Sequence, residues 1–195
     1  NSLSSSQIEQ ITEAARKAVN DSNLGESENL ILLMPKIIEG AQSKLASIGL
    51  SDSDEAIKVI NVIVNSMVKS VNGRNQYLPD NSVDSGLTAY ETIFKKITTA
   101  SVSNLDEAGL SSSDIGKASS EIVGTVVSSL GSSGISSSEL GGSIEKITSG
   151  AVASLDQIAG FDVSFLASAI DNITGGATAA LGDISIIGFS SDNLT

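Results

Sequence analysis

The chain lacks cysteine, histidine and tryptophan altogether, and only 3% of its 195 residues are aromatic. Without cysteine there are no disulfides, no thiol chemistry and no thiolate-ligated metals. Without histidine, imidazole general bases and the usual nucleophilic triads are excluded as well. Basic residues are scarce: 11 Lys and Arg stand against 23 Asp and Glu, a net charge of −12. That balance repels phosphate backbones and anionic lipid headgroups, which argues against nucleic acid as a partner. Beyond Lys117 the one basic residue is Lys146, so the deficit deepens along the chain. Long apolar runs are missing too. Leu30–Met34 and Ile184–Phe189 fall far short of the roughly 20 residues that span a bilayer.

Apolar residues nevertheless make up 40% of the chain, so the core is assembled from Ile, Leu, Val and Ala. These recur at helical spacing. Ile8, Ile11, Ala15 and Ala18 share one face, and Ile57, Ile60, Val64, Met67 and Val71 another. Ile115, Ile122, Val126 and Leu130 form a third, and Leu140, Ile144, Ile147, Ala151 and Leu155 a fourth. Leu166, Ile170, Ile173, Ala177 and Leu181 complete the series. No stretch sustains the alternation of a strand, so the fold class is all-α.

A short phrase punctuates these segments: Gly49-Leu50-Ser51, Gly109-Leu110-Ser111, Gly134-Ile135-Ser136 and Gly160-Phe161-Asp162. Glycine suits the left-handed C′ position of a helix, and the apolar residue after it folds back on the last turn. The following Ser or Asp can cap the next helix. Helix starts carry a hydroxyl followed three residues later by an acid: Ser6 and Glu9, Ser51 and Asp54, Thr88 and Glu91, Ser111 and Asp114, Ser136 and Glu139. Lys36-Ile37, Lys96-Ile97 and Lys146-Ile147 align as well, and 17 residues beyond each Ile stands Asp54, Asp114 or Ser164 at the next helix start. The repeated unit is a helical hairpin. Seven antiparallel helices are predicted over 4–20, 28–48, 52–72, 87–108, 112–131, 137–159 and 163–182, forming a repeat array or a bundle in a single domain, 1–195. Pro35 should kink the second helix or detach its first turn. Residues 73–86 form a long connector, and the tail 183–195 either packs its Ile-Ile-Gly-Phe run on the last helices or begins another repeat.

The connector offers the one local constellation for a metal. Counted as a twelve-residue calcium loop, Asp80, Ser82, Asp84, Thr88 and Glu91 supply oxygens at positions 1, 3, 5, 9 and 12. The glycine needed at position 6 is replaced by Ser85, with Gly86 one place late; a polar loop ending in the Thr88–Glu91 cap accounts for the same residues. Carboxylate pairs such as Asp52, Asp54 and Glu55, or Asp106 and Glu107, sit at helix ends, where capping explains them. Lys36, Lys96 and Lys146 recur at equivalent positions, which marks them as structural or solvated rather than as half of a Ser–Lys dyad. The sequons at Asn20, Asn172 and Asn193 are no more than this Ser/Thr content supplies.

The sequence therefore points away from an enzyme and a bound cofactor. It predicts an acidic helical-repeat protein, protein-binding or structural, that acts outside the cytoplasm, either secreted, periplasmic or attached to a surface. A start at Asn1-Ser2-Leu3 rather than Met fits removal of a leader. Two alternatives stand beside it: a calcium-dependent adhesion or assembly module using residues 80–91, and a self-associating domain of a secreted structural material.

Overall fold

The computed structural model describes residues 10, 14, 17, 27–45, 52–72, 89–133, 135, 137–158 and 162–187. Six helices run through them: α1 (Ser27–Leu45), α2 (Ser53–Asn72), α3 (Ala89–Ser103), α4 (Ser112–Leu130), α5 (Ser137–Leu155) and α6 (Val163–Ile187). There is no strand among the described residues, so the all-α class holds. The count of seven is not established. Of the expected first helix, only residues 10, 14 and 17 are described, and these are helical.

The helices lie in two layers. Each packs chiefly against its second neighbour: α1 on α3 and α3 on α5 in one layer, α2 on α4 and α4 on α6 in the other. Consecutive helices make the smaller contacts that join the layers. The core between them is aliphatic, with Met34, Ile38, Ile60, Val64, Met67, Ile97, Ile122, Val126, Ile147 and Ile173 wholly buried. Phe94 is the one aromatic ring among the largest fully buried side chains. Glycine sets the spacing within the second layer. A Cβ on Gly176 would lie 2.3 Å from the Ser120 carbonyl oxygen, so α6 rests backbone to backbone on α4.

The Gly109 junction shows how the punctuation works. Gly109 has φ 84°, and its N–H bonds the Asp106 carbonyl at 2.9 Å while the Leu110 N–H reaches the Leu105 carbonyl at 3.3 Å. This is a Schellman closure, with Leu105 and Leu110 both buried beneath it. Ser111 then caps α4: its hydroxyl accepts from the Asp114 N–H at 3.4 Å and donates to the Asp114 carboxylate. At α2 the cap is Asp52, whose carboxylate accepts from the Asp54 N–H at 2.9 Å. At α6 it is Asp162, which accepts from the Phe165 N–H at 2.8 Å. Gly49, Leu50, Ser51, Gly134, Ser136, Gly160 and Phe161 lie outside the described residues, as do Ser6, Glu9 and Thr88.

The ends of α3, α5 and α6 differ from expectation, α5 stopping at Leu155 rather than 159. Helix α3 ends at Ser103 rather than near 108, because the Asn104 amide donates to the Ala100 carbonyl at 2.7 Å and a tight turn takes the chain on to Gly109. Helix α6 continues through Gly182 to Ile187, since the extra turn buries Ile184 against Gly131. Pro35 detaches nothing: α1 is one helix through it. The apolar faces read from the sequence are buried in α2, α4 and α5, Ile144 of α5 only in part. In α6, Ile170 and Leu181 are exposed instead, because α6 is the last described helix of its layer.

Candidate functional site

Of the five residues proposed as calcium ligands, Asp80, Ser82, Asp84 and Thr88 lie outside the described residues, as does the connector that holds them. Glu91 is described. It opens α3 with its side chain buried, and the Ser143 hydroxyl of α5 donates to its Oε1 at 3.1 Å. The carboxylate is thus tied into the α3–α5 contact, with Gly142 leaving room beside it. Among the described residues no group of three His, Cys, Asp or Glu side chains could hold a metal ion. Asp52 and Asp106 act locally, the latter accepting from the Glu107 N–H at 2.9 Å. Lys36 pairs with Glu39 and Lys146 with Glu145 on the solvent side.

The structure brings a different set together. A groove of about 680 Å³ crosses the outer surface of the α2–α4–α6 layer. Asn61, Asn65, Lys69 and Asn72 of α2 form one wall, and Gly176, Ala179, Ala180 and Asp183 of α6 the other. Its floor is α4, with Glu121, Gly124 and Thr125 and a run of serines from Ser120 to Ser132. The concavity follows from residue size. Where Gly124 meets Gly176, neither helix has a side chain to fill the space between the walls.

Two asparagines give the groove its chemistry. The Asn61 amide donates to Glu121 Oε2 at 2.5 Å, and the Asn72 amide donates to the Ser129 carbonyl at 3.2 Å and to Ser132 Oγ at 3.0 Å. A carboxylate or a carbonyl can accept only from the NH₂ side, so these contacts fix each amide's orientation. The carbonyl oxygens of Asn61 and Asn72 are buried and carry no hydrogen bond within the protein. A buried acceptor left in that condition costs on the order of 1–3 kcal/mol, so each side chain gains if it turns its oxygen toward a donor at the groove surface. Eleven residues of helix separate the two asparagines, about 16 Å, which is the reach of about five residues of extended chain.

Charge at one end of this layer is ordered. Lys117 of α4 bonds Asp54 of α2 at 2.7 Å. This hydrogen bond and the attraction behind it hold the Asp54 carboxyl below its usual range and raise the Lys117 ammonium. Asp114 is lowered chiefly by the Ser111 hydroxyl. The exposed Lys117–Asp54 pair bridges α4 and α2 beside the groove, while the cap orders the start of α4. Neither offers a general base near a nucleophile.

The sequence carried a signal for this groove that periodicity of apolar residues does not reveal. Asn61, Asn65 and Asn72 stand at i, i+4 and i+11, one stripe of α2, although asparagine is a poor helix former. Three of them in line mark a face kept for tertiary or ligand contacts. The α4 and α6 walls are legible only once those helices are known to be neighbours. No family model and no curated protein matches the chain.

Proposed function

We propose that the chain is a non-enzymatic helical-repeat module, working outside the cytoplasm, that binds an extended polar segment of a protein partner along the α2–α4–α6 groove. The observation that carries this reading is the groove itself, a polar channel lined along one wall by Asn61, Asn65 and Asn72 and along its floor by the serines of α4. An extended peptide offers alternating N–H and C=O groups to such a channel, and about five of its residues span the distance from Asn61 to Asn72. The groove has no aromatic lining on which sugars or bases would stack. No described helix is long and apolar enough to cross a membrane, so apolar faces serve packing between helices.

The repeat organisation supports the same reading. Between α2 and α3 stand 16 residues, and between α4 and α5 only 6. That excess of 10 matches the step from 60 residues between Lys36 and Lys96 to 50 between Lys96 and Lys146. One hairpin unit, repeated with an insertion in the connector, accounts for both intervals. Stacking of such units gives a continuous outer face, the usual binding surface of repeat proteins.

Selection of a random extended-peptide library on the immobilised protein tests the reading. Peptides enriched on the wild type should lose binding to Asn61→Leu with Asn72→Leu, and to Gly124→Trp, which fills the groove. Equal enrichment on all three proteins, or none on the wild type, would overturn it.

A further inference from the structure

Three charged side chains line the groove: Lys69 on the α2 wall, Asp183 on the α6 wall and Glu121 on the floor. Glu121 is engaged by the Asn61 amide. Lys69 and Asp183 are exposed, and neither forms an ion pair with any described residue. A cation and an anion thus stand on opposite sides of the channel without meeting. The α4 backbone lies between their helices, so the walls are two helix spacings apart, on the order of 15–20 Å.

Contacts with α4 fix the heights of the two charges along the groove. The three helices run parallel. Asn72 bonds Ser129 and Ser132, and Ile184 packs on Gly131, so residues 72 and 184 are level. Lys69 comes three residues before Asn72, and Asp183 one before Ile184. The offset of two helical residues is about 3 Å, close to the rise of one residue of extended chain. Neighbouring side chains of an extended chain also point to opposite sides. A segment that turns one residue to Lys69 therefore turns the next to Asp183, at the matching height.

With the groove read as the peptide channel proposed above, we infer that its partner segment carries an acidic and a basic residue as chain neighbours. The acid lies against Lys69 and the base against Asp183. The net charge of −12 alone would favour a run of bases, but such a run meets Lys69, and a run of acids meets Asp183. Complementarity of this kind sets specificity more than affinity. Both pairs are exposed, so each changes affinity by about two- to fivefold and fades in high salt.

The random-peptide selection, run in parallel on wild type, Lys69→Glu and Asp183→Lys, is the test. Wild type should enrich peptides with an acid beside a base. Lys69→Glu should replace the acid by a second base, and Asp183→Lys should replace the base by a second acid. Helical circular dichroism should stay unchanged in both, since each position is exposed and unpaired. In calorimetric titration of one selected peptide, glutamine in place of its acid should weaken binding to wild type by about two- to fivefold. The same exchange should cost nothing on Lys69→Met. Peptides that enrich on wild type and are lost on Gly124→Trp, yet lack acid–base neighbours, would overturn the charge pairing and leave the groove reading standing. The same charge pattern on all three proteins would do so too. A wild type that enriches nothing would overturn both.

Discussion

Gly175 and Gly176 are neighbours in one helix, and the fold assigns them opposite responses to the same substitution. A Cβ at Gly175 meets nothing within 4 Å. Gly175→Ala therefore keeps only the gain in helix propensity and stabilises by about 0.8–1.0 kcal/mol. A Cβ at Gly176 would sit 2.3 Å from the Ser120 carbonyl oxygen, 2.7 Å from its hydroxyl and 3.0 Å from its carbonyl carbon. Backbone cannot rotate aside, so α4 and α6 must separate. Overpacking of that kind costs typically 1–3 kcal/mol, which outweighs the propensity gain. The net expectation for Gly176→Ala is a loss of up to about 2 kcal/mol, against a gain for Gly175→Ala. Urea titration followed by circular dichroism reads both, and at this chain length each kcal/mol moves the melting temperature by about 2–4 °C. If Gly176→Ala is as stable as Gly175→Ala, the close approach of α4 and α6 is wrong.

Three other perturbations have defined outcomes. Gly109→Ala, at φ 84°, should destabilise by about 1–2 kcal/mol in the same titration, and Gly109→Asn by less, because asparagine tolerates the left-handed region better. Asp54 and Asp114 have lowered carboxyl values, so their contribution is complete above the unfolded value near 3.8 and is lost as pH falls through the folded values. Lys117 is raised, so its contribution is complete below 10.5 and is lost as pH rises through the folded value. Urea midpoints against pH should accordingly fall in acid, and Asp114→Asn should flatten that limb; an unchanged acid limb contradicts the assignment. Because Ser143 already engages the buried Glu91 carboxylate, millimolar calcium should give no calorimetric heat and no change in melting temperature. A calcium-dependent rise abolished by Asp80→Ala would restore the loop as a metal site.

The sequence made the elements legible because each helix repeats the same local rules. Apolar spacing placed the buried faces of α2 and α4, and Gly109-Leu110-Ser111 marked a junction that the Schellman geometry matches. Endings were less legible where tertiary contact outweighed local preference. The last helix is expected to end at 182, yet burial of Ile184 carries α6 to Ile187. The groove was hidden for another reason. Asn61 and Glu121 are 60 residues apart and meet only because each helix stacks on its second neighbour. Which neighbour a helix chooses depends on side-chain volumes across two surfaces, such as Gly176 on Ser120, and no window along one segment contains both. The same layering explains why the apolar pattern of α6 overstated its burial: the sequence records a full face, and the fold covers only part of it.

The binding surface is the central claim, and backbone amide NMR of the ¹⁵N-labelled protein, titrated with a peptide selected on it, tests that claim most directly. The account predicts shifts concentrated on Asn61, Asn65, Asn72, Glu121 and Ser128, absent from α1, α3 and α5, and lost in the double Asn61→Leu, Asn72→Leu protein. Shifts gathered on the α1–α3–α5 layer, or retained in that double variant, would contradict it.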